Sequence, residues 1–512
     1  MADNLASFKV FAQGGLNTSR DVLSQGETQP GSAITLINYE PAVTGGYRKI
    51  NGFSNDYGTV TGTGNVLGVA VVDGINDGIL AARKPSSGNN YLHKFNNSSS
   101  AWDAVSTSGS PTMVGVTKVR FSKLNFGSPK VVLTDGINPA ATYDGSTYTQ
   151  ITHSDAPTDP KYSAVFQNHL FLAGDPAEKT NLYFSAPLAE TNFASASGAG
   201  VVNVGFPIVA IKSFRNELYI FGSTNIKKLS GTALANFALQ TVTDDLGCLA
   251  TDSVIEIGGD LLFLSQDGLR PISGTSKIGD VNLETVSKNI QSIFTDIVFD
   301  IDLDTLNAVT IKQKTQFRYF FGAADSQGII GGFRETPNGL QFEYSQMLGI
   351  SATSAAGGYI GQNEFVIHGD STGKVHRQEQ GNTFAGTNIF SVYQTPFLYM
   401  QDPEQRKIFY TVATYLRSEG DNEIVMSVVY DYEDPKSLSP TNFTLSTEGA
   451  AAYYNEAAYN STAIFDGNPS PVQRTNISGS GKSVSLKYVT NDSNASHSIQ
   501  GIVVTFGVGD RL

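Results

Sequence analysis

Short apolar runs closed by glycine recur through most of the chain, with polar, turn-rich stretches between them. Val69-Ala70-Val71-Val72 ends at Asp73-Gly74, and Val131-Val132-Leu133-Thr134 ends at Asp135-Gly136. Similar runs end at Gly174, Gly222, Gly268, Gly322 and Gly369. These glycines are separated by 62, 38, 48, 46, 54 and 47 residues, so five of six intervals lie near the 40–50 of a propeller blade. A small sheet cannot cover both of its faces, and radial packing buries them while leaving only short edges. Second strands follow several markers, as at Asn181-Leu182-Tyr183-Phe184, Ile226-Lys227-Lys228-Leu229 and Leu269-Arg270-Pro271-Ile272, so hairpins run in series. The pattern predicts an all-β chain with a β-propeller over 61–389, six blades favoured and seven also fitting. A pair of β-sandwiches is the alternative.

The flanks read differently. Residues 1–60 carry turn signals at Gly14-Gly15 and Pro30-Gly31 around short apolar pieces, and predict an extended N-terminal arm lying against a larger body. One helix is predicted near 283–297, capped by Asn282, with Val286, Ile290, Ile293, Phe294 and Ile297 on one face. It is expected on a ring rim or against a neighbouring subunit. Residues 390–512 predict a C-terminal β-rich domain. There, strands 407–416 and 423–430 are joined as a hairpin by Glu419-Gly420-Asp421-Asn422, 446–483 form a long loop, and 499–506 make a final inserted strand.

Composition narrows the function. The 512 residues carry 47 Asp and Glu against 34 Lys and Arg, a formal charge of -13, and no basic run suited to neutralising phosphates. Only 16% of residues are charged, yet the aromatic content of 10% and the 52 glycines suit folded strands and turns rather than disorder. The single cysteine, Cys248, can form no internal disulfide, and its apolar neighbours predict a buried thiol. The chain start has no basic region followed by an apolar run, and no stretch approaches 18 apolar residues. Synthesis in a cytoplasm and no membrane span are expected.

Catalytic signatures are missing: the sequence contains no Walker A motif, HExxH, GxSxG elbow or GxGxxG opening a βαβ unit. His368, Asp370 and His376 share one hairpin and could approach a metal, although ordinary strand and turn roles explain them as well. Asp300, Asp302 and Asp304 alternate with apolar or neutral residues, which in a strand places three carboxylates on one face. Without the glycine and terminal glutamate of a calcium loop they predict an acidic lumen or a solvated face. No catalytic residue, cofactor or metal site is assigned.

Several stretches together resemble the tail-hub, nozzle or DNA-stabilisation proteins of short-tailed, podovirus-like bacteriophages. They are Gly14-Gly15-Leu16-Asn17-Thr18, Pro30-Gly31-Ser32-Ala33-Ile34-Thr35-Leu36, Gly45-Gly46-Tyr47-Arg48-Lys49-Ile50-Asn51-Gly52-Phe53, Gln167-Asn168-His169-Leu170-Phe171-Leu172-Ala173-Gly174, Leu182-Tyr183-Phe184-Ser185-Ala186-Pro187, Phe214-Arg215-Asn216-Glu217-Leu218-Tyr219-Ile220-Phe221-Gly222 and Leu262-Phe263-Leu264-Ser265-Gln266-Asp267-Gly268-Leu269-Arg270. The resemblance covers most of the chain and implies a non-enzymatic virion protein of the tail. It further implies a homo-hexameric ring that extends the DNA channel, retains the packaged genome and passes it on ejection. Implied partners are adaptor or head-to-tail connector proteins, tail fibres or spikes, and double-stranded DNA in transient, non-specific passage. The competing readings are a receptor-binding or glycan-recognising tail protein and a polysaccharide depolymerase.

Overall fold

A computed structural model describes residues 5–42, 45–111, 113–275, 285–322, 326–336, 339–400, 402–447, 451–452, 464–465 and 471–508. The fold is all-β and contains a β-propeller with further β-sheets beside it. Five blades are free-standing sheets of antiparallel neighbours, each opened by the strand nearest the axis. These first strands are Thr63–Val71, Arg120–Asn125, Tyr162–Phe166, Ala210–Phe214 and Ile255–Ile257. In the second blade, Ser106–Thr107 adds one parallel strand at the outer edge.

Two more meanders of the same kind begin at Asn307–Ile311 and Ser354–Ile360, and both belong to a 14-stranded sheet. The second of them takes its outer strand from far away. Phe53–Ser54 pairs antiparallel with Val375–Gln378, placing Phe53 opposite Gln378. Tight two-residue turns link first to second strands: Gln167-Asn168, Arg215-Asn216 and Gly258-Gly259 all have positive φ. That is the backbone of hairpin turns whose twist matches the strands they join.

Packing follows from strand alternation and separates into clusters between successive units. Ala82, Val131 and Tyr143 join the first two units, and Val132, Leu170 and Leu172 the next two. Phe171 and Ile220, then Phe221 and Phe263, continue the series. Leu262 meets Phe317 and Tyr319. Val309, Phe320 and Val366 then join the two later meanders. Val66, Ile79, Ile367 and Val375 connect the last unit to the first.

The stretch expected as an extended arm is woven into sheets. Leu5–Phe11 pairs with the final strand, His497–Val508, Thr35–Ile37 pairs with Thr387–Gln394, and the hairpin Tyr39–Pro41 and Tyr47–Lys49 also reaches His497–Val508. Gly15 shows why the backbone there is specific: its φ is +67, and a Cβ would lie 2.7 Å from Tyr344 N.

Beyond residue 390 the expected 407–430 hairpin is corrected. Lys407–Ser418 pairs with His497–Val508 and Val472–Asn476, whereas Glu423–Tyr430 pairs with Val484–Asp492 and Phe443–Ser446. Each strand has one buried face, and those faces meet across two layers: Phe409 stacks on Tyr430 at 5.2 Å, and Thr414 Oγ1 lies 2.9 Å from Tyr488 OH. Facing layers bury both apolar stripes, which a lone hairpin could not do. The expected loop at 446–483 contains Val472–Asn476, while 448–450, 453–463 and 466–470 lie outside the described residues.

The predicted helix begins later. A 3-10 turn, Lys288–Ile290, leads into the helix Gln291–Asp300, and the expected cap Asn282 and Leu283 lie outside the described residues. Ile290 and Phe294 are buried in the main core of the chain itself. Among the described residues no helix is long and apolar enough to cross a membrane.

Candidate functional site

First strands of the five blades and of the two later meanders line a cavity where they converge. Small side chains let them converge: Ala70, Ala164, Ala210, Ala308, Ala355 and Gly357 stand on the wall. The central part measures about 530 Å³, and one end, the lysine-lined end, about 480 Å³.

An ion cluster crosses one level of this cavity. Asp252 comes from the 3-10 turn Thr251–Ser253, just before the fifth unit, and Arg120 opens the first strand of the second. Arg120 Nε and Nη2 donate to Asp252 Oδ1 and Oδ2 at 3.0 and 2.8 Å, and Lys118 Nζ lies 2.7 Å from Oδ2. Burial pushes the Asp252 carboxyl upward, but Arg120 and Lys118 more than offset it and hold the group below the usual carboxylate range. Arg120 also lies over the Tyr162 ring, 5.8 Å from its centre. These contacts join units three apart around the axis, so the passage is spanned by side chains. A DNA duplex, whose major groove alone is about 12 Å wide, cannot thread through it.

The lysine-lined end has another chemistry. Lys123, Lys212 and Lys312 line it together with Asp73, Glu256 and Glu364. Glu364 accepts from Lys312 N at 2.6 Å and Gln313 N at 2.9 Å, and Asp73 Oδ1 accepts from Gly361 N at 3.2 Å. Two of the three carboxylates are therefore tied to backbone amides. Lys123 and Lys212 are open to water yet enclosed by the cavity wall, and that partial desolvation lowers both ammonium pKa values. Lys312 adds to the lowering of each, while Asp73 opposes it at Lys123 and Glu256 at Lys212.

The three aspartates singled out by spacing do not lie in a strand. Asp300 ends the helix Gln291–Asp300, and Asp302 and Asp304 occupy the following turn, both exposed. Asp302 Oδ1 accepts from Asp304 N at 3.1 Å, a local turn bond that competes with strand pairing. Asp304 Oδ1 meets Lys161 Nζ at 3.0 Å, and its carbonyl accepts from Lys118 at 2.9 Å. The turn thus sits beside the ion cluster.

His368, His376 and Asp370 do converge. His376 Nε2 lies 3.0 Å from Asp370 Oδ2, and the two imidazoles stack at 4.9 Å. Burial and the neighbouring His376 push His368 down to about 3. No group of three or more His, Cys, Asp or Glu among the described residues could hold a metal ion. Cys248 is buried and donates from Sγ to the Ala250 carbonyl, and burial raises its thiol to about 11. A thiol so protonated is a poor nucleophile.

Sequence reasoning missed the three lysines of that end of the cavity. They lie 89 and 100 positions apart in the chain and form no motif. The available signal was positional: Lys123 and Lys212 sit within a first strand, and Lys312 directly follows one.

No family model matches the chain, and no curated protein matches it. Among solved structures, the extracellular domain of BT4673 from B. thetaiotaomicron is similar at 12% identity and TM-score 0.39, over 66% of this chain and 41% of that one. An ancestral GH74 enzyme matches at 10% identity and TM-score 0.39, over 72% and 52% of the two chains. The computationally designed Ika8 protein matches at 10% identity and TM-score 0.34, over 62% and 98%. The chain thus spans about two fifths of the first of these and half of the second. TM-scores below 0.5 assign it neither a family nor an activity.

Proposed function

We propose that this chain is a structural, non-enzymatic protein of a short phage tail, assembling as a homo-hexameric nozzle or hub that extends the DNA channel, retains the packaged genome and passes it at ejection. The observation that carries this reading is the interleaving of the chain's two ends. Leu5–Phe11 pairs along His497–Val508, and Phe53–Ser54 supplies an outer strand to the last propeller unit. Such cross-ties suit a stiff building block under load. The two meanders of the large sheet complete the propeller as sixth and seventh blades, in place of the six favoured by spacing; the apolar contact of Ile367 and Val375 with Val66 and Ile79 supports that closure.

Because Arg120 and Asp252 cross the blade axis, the DNA conduit is the space enclosed by several copies. Leu5, Phe11, Ile408 and Tyr415 are exposed large side chains on paired strands of the end sheet and suit contact with a neighbouring copy or an adaptor protein. Acidic subunits would repel passing phosphates and limit sticking. Native mass spectrometry and electron micrographs of tails test the assembly: hexamers and tail density are expected, and a persistent monomer absent from virions overturns it. If Asp302 faces the shared passage, Asp302→Lys should slow genome ejection, and unchanged kinetics count against an electrostatic role.

One observation favours the glycan-recognising reading as second choice. A cavity of about 450 Å³ is walled by Phe53, Phe384 and Phe390, with His376 and Asp370 also lining it. Aromatic faces beside a polar pair suit a sugar ring, and oligosaccharide titration monitored by NMR would test this.

A further inference from the structure

We propose that the lysine-lined end of the axial cavity is a binding site for a small multivalent oxyanion, held by the ammonium groups of Lys123, Lys212 and Lys312. The lining belongs entirely to one chain, so the site stands whether or not the protein assembles into a ring.

The three lysines come from the second, fourth and sixth units, every other one around the axis. They therefore approach the axis from three sides, an arrangement suited to an anion with several charged oxygens. None of the three ammonium groups makes a salt bridge or hydrogen bond among the described residues. This contrasts with the other level of the same cavity, where Lys118 and Arg120 are both satisfied by Asp252.

The carboxylates between the lysines do not take the ligand's place. Glu364 uses both oxygens on backbone amides, and Asp73 is bonded to Gly361 N. Glu256 alone has no hydrogen bond to its carboxylate, and its charge acts chiefly on Lys212. Gly358 keeps the space open, since a Cβ there would lie 3.2 Å from Lys123 Nζ and 3.0 Å from the Val71 carbonyl. The volume of about 480 Å³ accommodates a small anion and its remaining water. The nearby carboxylates offset part of the repulsion among the three cations but form no direct contact with them, so a bound anion can still gain charge-assisted hydrogen bonds from all three ammonium groups. The lowered ammonium pKa values of Lys123 and Lys212 are consistent with that crowding.

Calorimetric titration of the full chain with inorganic pyrophosphate, and separately with citrate, at low ionic strength tests the site. Saturable binding of one anion per chain is expected, weakening as salt is added. Tighter pyrophosphate identifies a phosphate-bearing ligand, and tighter citrate a polycarboxylate. Lys212→Gln and Lys312→Gln should each weaken binding about tenfold, the loss of one charge-assisted hydrogen bond, whereas the remote Lys436→Gln should leave it unchanged. Glu256→Gln should tighten it. The heat of binding should also vary with the buffer used at alkaline pH, because the anion draws protons onto Lys123 and Lys212. Thermal unfolding of each variant checks that the fold is kept. Absence of saturable binding by either anion, or full affinity in the Lys212→Gln/Lys312→Gln double variant, overturns the proposal.

Discussion

Asp252 holds two cations at once inside the propeller, so its removal takes the carboxylate partner from Arg120 and leaves Lys118 only the Asp304 and Leu306 carbonyls. Asp252→Ala should lower the unfolding free energy by about 3 kcal/mol, the scale for breaking one side of a buried ion pair, as read by urea denaturation at neutral pH. The sign with pH follows from its depressed carboxyl pKa: the stabilisation is present above the unfolded value of 3.8 and is lost as pH falls through the lower folded value. The wild-type protein should therefore lose more stability than Asp252→Ala on acidification below about pH 4. A second buried cation behaves alike. Arg318 is wholly buried, donates to Gln378 Oε1 at 2.6 Å and pairs with Glu379, which also meets Lys314. Arg318→Gln should destabilise by about 3 kcal/mol in the same denaturation measurement, and a change within experimental error would show that the pair carries no net stability. Neither ion cluster was legible in the sequence, because Arg120 and Asp252 are separated by 132 positions and neither motif nor period relates them.

At the scale of elements, a two-residue strand does disproportionate work. Phe53 packs edge-on against His368 and His376, both at 4.8 Å between ring centres, and stacks on Phe384 at 5.2 Å. Phe53→Ala should cost about 3–5 kcal/mol, the range for truncating a buried aromatic, and should raise hydrogen exchange first in Val375–Gln378, its pairing partner. Gly373 makes a related prediction. Its φ is +88, and a Cβ would lie 1.9 Å from Arg83 Cζ, whose guanidinium donates to Gly64 and Thr372 carbonyls. Gly373→Ala should therefore lower the melting temperature through backbone strain and displacement of Arg83 together. An unchanged melting curve would contradict both effects. Strand identity itself was largely readable: Glu423–Tyr430 coincides with the stretch expected from alternation, and the final strand is paired on both sides. Partner choice was not. The 407–418 and 423–430 strands are neighbours in sequence, yet each finds a better apolar face elsewhere.

For the molecule as a whole, both ends of the chain act as fasteners. Removing residues 1–54 would expose one edge of His497–Val508 and one of Val375–Gln378. The truncated chain should aggregate through those open edges, measurable as increased light scattering at neutral pH; a clear, monodisperse solution would show that the edges are not needed. The repeat spacing also becomes intelligible at this scale. The first marker, Gly74, follows a first strand, whereas the other six glycines follow or end second strands. The second strand of the opening unit is Ile79–Lys84, which ends without glycine, and from Lys84 to Thr134 is 50 positions. The long first interval therefore came from comparing unlike strands, and between like strands it falls within the range of the others.

Local chemistry along the chain was enough to determine an all-β protein built from repeated glycine-turned hairpins, with one buried thiol and no long apolar span. Those properties depend on neighbours within a few residues: alternation sets the buried face of a strand, and turn residues set where it ends. Tertiary structure alone decided that the first 54 residues knit distant sheets together, that Asp300, Asp302 and Asp304 leave a helix through a turn, and that three unrelated lysines share one cavity. Each of these joins residues far apart in sequence. Their encounter depends on how whole sheets cover one another's apolar faces, which no short stretch of chain encodes.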